Sequence, residues 1–393
     1  MSDTNRMRLS YRVEADYGVE STGGDYQTLR ITGESLKQDT DSRTSDEIRN
    51  DRQVADVYRT QVGASGQINM ELSGGTLDDF LAAALGASLT WPAAVNPTNV
   101  AVSVTLAPDT YTADATDFVD DLVVGQWVFI TGFAEAGNNG FKKVLTVTGS
   151  PMTSFTVASP VAMVVESAVG STTYQMGGQI INGTTLSSFT FQKEFLDLSS
   201  DGSLHLGMVV ESADLRISTG EPITGNFSFL GAEEQNKTSG FNTTILANTN
   251  PVIQSVDHVL HTLEGGHVVA NVIPITELEI SIRNNNRNRM QVGSVAPVSQ
   301  GLGSFEVTGN VRQFYATNAL FTKYLSYTVS NLTVIINETG TPYRYVIELP
   351  QVRYGDAQRV SAGKDQDILA DMSFTAYMDP TELITMRVAR FLV

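Results

Sequence analysis

Residues 63–86, GASGQINMELSGGTLDDFLAAALG, contain the clearest strand and helix signals of the chain. Apolar and polar residues alternate over QINMEL (67–72), which is the period of a half-buried β-strand. The next residues have the spacing of an amphipathic helix, with Thr76 as the predicted N-cap, acidic residues in the first turn and Gly86 after the end. The stretch therefore predicts a strand that leads, through a short polar turn, into one capped helix.

The same order recurs at residues 301–326, GLGSFEVTGNVRQFYATNALFTKYLS, with Thr317 or Asn318 as the predicted cap. Each half continues with two alternating runs, a polar turn containing Gly, and a strand that ends in NFSF (226–229) or DMSF (371–374). Upstream, YQTLRITGESLK (26–37) corresponds to ITELEISIRNN (275–285). Any two β domains share part of this pattern, but one helix at the same place in both halves favours an internal duplication. The expected class is mainly β, with two duplicated β folds that each carry one flanking α-helix.

The two halves differ in a long segment, residues 91–180, that only the first half contains. This segment has a turn signal at Asn138-Asn139-Gly140 and strand-like runs of its own. A structureless loop of this length is unusual inside a compact domain, so we predict a small inserted β domain with Trp127 in its core. The predicted division is 1–90 and 181–240 for the first fold, 91–180 for the insert, 241–272 for a connector, and 273–393 for the second fold.

Composition excludes several functional classes. The chain has 393 residues, a formal charge of -18 and no Cys, so disulfides, thiolate metal sites and Cys nucleophiles are excluded. An acidic chain argues against a conventional DNA-binding protein, whose affinity comes from neutralising phosphates. No run approaches the roughly 20 apolar residues that a membrane-spanning helix needs, and no membrane partner is predicted. The first residues lack the apolar core of a secretion signal, so we expect synthesis in a cytoplasm.

No catalytic, cofactor or metal site is predicted from the sequence. The acidic run at Asp39 and Asp41 starts like a calcium loop, but Thr44 and Asn50 stand where that loop needs Gly and Glu. His258, His261 and His267 are spaced closely enough to suggest a metal site, yet two glycines interrupt any helix that would align them. The sequence leaves that alternative open and favours a polar connector with incidental histidines. GKD at 363–365 fails the spacing of a phosphate-binding loop.

Three long segments together resemble one protein family. Residues 45–86 resemble the N-terminal part, and residues 301–325 and 362–380 the C-terminal part, of tail tube proteins from bacteriophages with long non-contractile tails (siphophages). The resemblance implies a β-sandwich or partly closed barrel flanked by one helix. It also implies a structural virion protein, not an enzyme, whose rings stack into a tube that conducts DNA into the host.

The resemblance further implies partners. These are other copies of the chain, the tape measure protein and DNA in the lumen, and the tail terminator and distal tail proteins. Two tube folds per chain favour a trimeric, pseudo-hexameric ring, whereas a hexamer is expected if the duplication is illusory. The insert is expected on the tube's exterior, where it could touch a host surface or flagellum, and deleting residues 95–178 is expected to leave tube assembly intact. The alternatives are a tail-associated adhesin and a tube protein of a bacterial secretion system.

In this family a hairpin-like arm reaches the adjacent ring, and residues 36–62 are the matching region. That region contains DTDSRTSDEIRNDRQ (39–53), whose mixed charge would suit a partner on another ring; its counterpart, RNNNRNRMQ (283–291), is basic. Complementary charge between such surfaces sets specificity and orientation. The alternative is that both segments are solvated loops. The predicted inter-ring contact residues are Asp39, Asp41, Arg43, Asp46, Glu47, Arg49, Asp51, Arg52, Arg283, Arg287 and Arg289.

Overall fold

The computed structural model describes residues 3–20, 23–91, 100–113, 122–149, 152–198, 201–238, 241, 244–247, 249–338, 340–361 and 363–393. The elements before the insert are a 3-10 helix (Thr4–Arg6), β1 (Met7–Val13), β2 (Tyr26–Thr28), β3 (Ile31–Glu34), β4 (Lys37–Thr44), β5 (Val57–Glu71) and α1 (Asp78–Ala84). Those of the insert are β6 (Val100–Thr105), β7 (Thr110–Ala113), β8 (Trp127–Thr131), a 3-10 helix (Ala136–Asn138), β9 (Gly140–Gly149), β10 (Met152–Ala158) and β11 (Glu166–Met176).

The chain continues with β12 (Gly178–Ile181), β13 (Phe189–Phe195), β14 (Gly202–Ser218), β15 (Thr224–Gly231), β16 (Glu233–Lys237), β17 (Ile245–Leu246), α2 (Ser255–His258), β18 (Val259–Glu264), a 3-10 helix (Val269–Asn271), β19 (Ile275–Arg283) and β20 (Arg287–Arg289). The last elements are β21 (Ser299–Gly301), β22 (Glu306–Phe314), α3 (Ala319–Leu325), β23 (Ser330–Asn337), β24 (Tyr343–Ser361), β25 (Ile368–Ala376) and β26 (Arg387–Leu392). The mainly β class predicted from the alternating runs is confirmed.

Two folds of the same strand order share one inner sheet. In fold 1, β5 pairs with β15 and β15 with the second half of β14; in fold 2, β22 pairs with β25 and β25 with the second half of β24. The outer edge of β5 carries β3 and β4, and the outer edge of β22 carries β19. One antiparallel ladder, β14 with β19, joins the two sets of strands edge to edge.

Each fold also has an outer sheet that begins on the same long strand. The first half of β14 pairs with β13 and β16, and β13 pairs with β1. The first half of β24 pairs with β23 and β26, and β23 pairs with β18. In fold 1 the core between the layers is aromatic: Phe80 of α1 lies 5.1–5.9 Å, centroid to centroid, from the rings of Phe189, Phe191, Phe227 and Phe229.

The segment between α1 and β12 folds as a closed six-stranded barrel, in the order β10-β7-β6-β11-β8-β9. Its own core contains Val104, Tyr111, Val128 and Phe155. Trp127 is fully buried, but it belongs to a separate cluster shared with fold 2, so its predicted place in the insert's core is corrected. The tryptophan points towards the neighbouring sheet because the next residue along β8, Val128, faces the barrel interior.

Both predicted helices are present; Thr76 is not the N-cap of α1, whereas Asn318, one of the two residues predicted for α3, holds that position. Leu77 holds the N-cap position of α1, and no side chain caps that end; the Thr76 hydroxyl instead contacts the Ser73 hydroxyl. Asn318 holds the N-cap position of α3 without a capping hydrogen bond, because its side-chain oxygen accepts from Tyr315 and Arg359. Gly86 follows α1 with a φ of 62°, as a helix stop requires. Among the described residues, no helix is long and apolar enough to span a membrane.

Candidate assembly surfaces

The ladder between β14 and β19 is an interface between two folds that happen to lie in one chain. It runs from Ser212↔Arg283 to Ser218↔Glu277 as seven consecutive antiparallel pairs. At its end, the Thr219 amide and hydroxyl both donate to the Thr276 carbonyl at 3.0 Å. By the equivalence of the two folds, β3 corresponds to β19 and the second half of β24 corresponds to the second half of β14. Neither of these edges has a second strand partner among the described residues.

The face of the inner sheet that points away from the core is polar. Leu215, Ile217 and Leu278 face the core, and the residues that alternate with them face the other side. On the strands of the two inner-sheet sets, this open face carries seven acids and four arginines: Glu71, Asp214, Glu277, Glu279, Glu306, Asp356 and Asp371, with Arg216, Arg283, Arg312 and Arg353.

A ladder of ion pairs crosses four strands of this open face. Arg216 lies 2.7 Å from Glu277, and Arg312 lies 2.8 Å from both Glu277 and Asp371. These two arginines on β14 and β22 are therefore neutralised by acids of the neighbouring strands. The acids that remain make the face net negative, which disfavours the binding of phosphates.

The predicted inter-ring residues of fold 1 lie on one projecting hairpin. Asp39, Asp41 and Arg43 are on β4, which pairs with β5 from Lys37↔Ser65 to Thr44↔Val57. The other five occupy the connecting loop, where Arg49 and Asp51 form an exposed ion pair of 2.7 Å. That pair raises the pKa of Arg49 and lowers the pKa of Asp51 through the shared hydrogen bond. The hairpin tip is also apolar in part, since Ile48 is 99% exposed.

The predicted residues of fold 2 lie at the base of a shorter hairpin at the same end of the inner sheet. Arg283 ends β19, and Arg287 and Arg289 are on β20, which pairs with β21. The connecting loop of this shorter hairpin meets the longer hairpin, where the Val62 amide of β5 donates to the Val295 carbonyl at 2.8 Å. The structure thus brings both predicted sets to one end of the sheet, but it shows no ion pair between them among the described residues.

The junction between the insert and fold 2 is a buried charged cluster that the sequence did not predict. The Glu348 carboxylate is fully buried and accepts hydrogen bonds of 3.0 Å from Trp127 Nε1 and from Arg387. It also lies 3.0 Å from His267 Nε2 and forms an ion pair with Lys143. Burial by itself would raise the pKa of Glu348. The contacts with His267, Lys143 and Arg387 outweigh burial and hold this pKa well below its usual range.

Apolar side chains surround this cluster and complete the junction. Trp127 and Phe141 from the insert pack with Ile335, Val346 and Phe391 from the outer sheet of fold 2. A sequence signal did exist for this contact. Where β23 reads VII (334–336) without alternation, both faces of the strand must be covered. The sequence could not identify which residues cover the second face, because Trp127, Lys143 and His267 come from distant segments.

The histidines considered as a metal site do not converge. His258 ends α2 and accepts a hydrogen bond from the Gln254 amide, His261 lies on β18, and His267 contacts Glu348. His205 is buried in β14, 3.2 Å from the Ser203 hydroxyl. Among the described residues, no three His, Asp or Glu side chains are grouped as metal ligands.

Two comparisons with known proteins bear on these surfaces. A sequence model of the family described as phage tail tube protein matches residues 4–376, which is nearly the whole chain. A search of curated proteins finds no match.

Proposed function

Because the chain belongs to the phage tail tube protein family, a structural component of the virion tail, we propose that three copies form a ring and that the rings stack into a siphophage tail tube. The tube would conduct DNA into the host. The chain would be made in the host cytoplasm and would act without catalysis.

The observation that carries the proposal is the β14–β19 ladder. In this ladder the second half of a long strand pairs with the first inner strand of the neighbouring fold. Among the described residues, β3 in fold 1 and the second half of β24 in fold 2 have no such partner. Pairing β24 of one copy with β3 of the next repeats the ladder, removes both exposed edges and closes when the rotation per fold is right. Six folds are then supplied by three chains.

The open face of the inner sheet supports the role as a conduit. In a closed ring the inner sheets form the wall of the lumen, so the acidic face with its paired arginines would line the path of the DNA. Carboxylates repel phosphates over about 8 Å at physiological salt, and the ion pairs of Arg216 and Arg312 leave these two side chains less able to bind a phosphate. The tape measure protein would occupy the same lumen before DNA passes.

The two hairpins support stacking of the rings. Both project from one end of the inner sheet and carry the eleven predicted contact residues, so each ring would present its arms to the opposite end of the next ring. The arms at the last rings would meet the tail terminator and the distal tail proteins. The insert is placed on the outer sheet of fold 2, away from the open face, so its exposed side is available for contact with a host surface or flagellum.

Native mass spectrometry and negative-stain electron microscopy of the purified chain test this proposal. We expect a species of three chain masses and stacked rings with a central hole. A six-chain ring would contradict the trimer but keep the tube. Monomers that bind glycans and never form rings would support the adhesin instead.

A further inference from the structure

A groove on fold 1 has a counterpart inside the same chain, where the preceding fold supplies one wall. The counterpart is a cavity of about 300 Å³ between the folds, lined by Val259–Thr262 at the start of β18 and by Val272–Thr276 before and at the start of β19. The third wall is the end of β14, Ile217–Thr219, which belongs to the preceding fold. This wall seats fold 1 on fold 2.

The groove on fold 1 is built from the corresponding segments. Met7–Leu9 at the start of β1 and Thr28–Thr32 before and at the start of β3 line it, and its volume is about 540 Å³. Ile31-Thr32 matches Ile275-Thr276 in sequence and in place. Among the residues that the structure describes, no segment supplies the third wall that Ile217–Thr219 supply in the first cavity, so this wall is missing. Leu196, which also lines the groove, is 46% exposed.

The segment that corresponds to the missing wall lies at the far end of fold 2. The end of β24 and the following turn hold Val360, Asp365 and Asp367, next to Phe314 and Leu369. Phe314 and Ile368 are both exposed, at 46% and 47%, which is unusual for large apolar residues that end paired strands. This surface is apolar with an acidic rim.

The groove has the complementary character. Its apolar floor includes Leu9, Leu29 and Ile31. Its rim carries Arg30, Glu71 and Arg8, and Arg8 is ion-paired with Glu194. We propose that the end of β24 and the 363–369 turn of one copy seat in the Met7–Leu9, Thr28–Thr32 groove of a second copy, with Asp365 and Asp367 facing Arg30. This inference rests on the proposed ring and adds to strand pairing a side-chain contact that selects the correct partner edge.

A charge exchange between the two surfaces tests the seat. We expect Arg30→Glu, and separately Asp365→Arg with Asp367→Arg, to lower ring formation at least about tenfold in the apparent association constant, because like charges then face each other. The triple variant that combines both changes should recover most of the loss. Glu135→Arg, at an exposed acid on the insert, is the matched control and should assemble normally.

Each variant must unfold at the same temperature as the unchanged chain, so that misfolding is separated from loss of contact. Leu196→Glu provides a second probe, since it places a charge in the groove without altering the rim. Normal rings from Arg30→Glu and Leu196→Glu would overturn the seat and leave the tube proposal standing. If the unchanged chain forms no rings at all, it is the proposed function that fails.

Discussion

Helices α1 and α3 occupy the same place in their folds, yet their surroundings differ. Both have seven residues, and each packs on the long strand of its own fold. In α1 every residue except Asp79 is buried, and burial continues through Leu85 and Gly86. In α3 only Leu320 is buried. The residues that follow the helix, including Tyr327, are exposed.

The difference arises from what covers each helix on its far side. Fold 2 covers α1: the Asp78 carboxylate accepts from the Tyr345 hydroxyl at 2.8 Å and pairs with Arg390, and the Gly75 amide donates to Tyr345 at 2.8 Å. Within the part of the chain that the structure describes, no second fold covers α3 in this way. We therefore propose that a second copy covers α3, like the edge of β24 beside it, when the ring assembles.

One apolar residue in each helix, replaced by Asp, should show the largest difference between α1 and α3. We expect Leu81→Asp to lower the free energy of unfolding by about 4 kcal/mol, since it places a charge among Leu72, Leu215 and Ile280. Leu325→Asp, at a side chain that is 70% exposed, should change it by less than about 0.5 kcal/mol and still reduce ring formation. Denaturant titration and native mass spectrometry measure the two effects. Normal rings from Leu325→Asp would remove α3 from the interface.

The insert also packs on the outer sheet of fold 2. Substitution of Glu348 measures how much this junction contributes to the stability of the protein. Glu348→Ala leaves Lys143 and Arg387 buried without their shared carboxylate, so we expect a loss of about 3–5 kcal/mol in thermal or denaturant unfolding. Replacing Glu348, Lys143 and Arg387 together by Leu and Met should recover much of it. Glu382 is a more exposed carboxylate that pairs with the same two side chains, Lys143 and Arg387. Glu382→Gln is therefore the control, and we expect it to lower the free energy of unfolding by less. An unchanged stability in Glu348→Ala would show that the junction is not needed.

This junction also changes the expectation for removal of the insert. The sequence predicts that deleting residues 95–178 leaves assembly intact. In the structure, the deletion uncovers Ile335, Val346 and Phe391 and removes two partners of Glu348. We therefore expect the simple deletion to aggregate and a deletion with polar replacements at those apolar positions to assemble.

The insert's own stability can be separated from that of the junction through Lys142. Its Nζ is buried and donates to the carbonyls of Gly137 and Asn139 at 3.0 and 2.8 Å. Burial lowers the pKa of Lys142 from 10.5 to about 8. Between pH 8 and 10.5 the unfolded chain then holds the proton that the folded chain has released, so stability rises with pH by at most about 3 kcal/mol. Lys142→Met should lose this rise and the exposed Lys364→Met should keep it; equal pH profiles for all three proteins would contradict the burial effect.

The smallest expected effect is on the hairpin arms. Arg49→Glu with Arg52→Glu changes only exposed charges, so we expect unaltered unfolding and impaired stacking of preformed rings. The lysine variants at the same positions keep the charge and should stack. Turbidity and electron microscopy of tube length measure the difference. Full-length tubes from the glutamate variant would show that the arms are solvated loops with no role in stacking.

The sequence predicts the elements of this fold better than their neighbours. Alternation located QINMEL, of which all but the last residue lies in β5, and helical spacing located α1 and α3, because these are local properties. It could not show that β14 and β24 each cross from an outer to an inner sheet, since a period of two is the same in both. The sequence could not predict the burial of Glu348 either, because YRYVIEL (343–349) has the pattern of an ordinary half-covered strand. The unpaired edges emerge only when the two folds are compared in space.

An electron cryomicroscopy reconstruction of the assembled tube would show directly how neighbouring copies join. We expect three copies per ring, with β24 of one copy hydrogen-bonded to β3 of the next in the same antiparallel manner as β14 with β19. A ring in which β3 and β24 face solvent, or are joined by other strands, would contradict it.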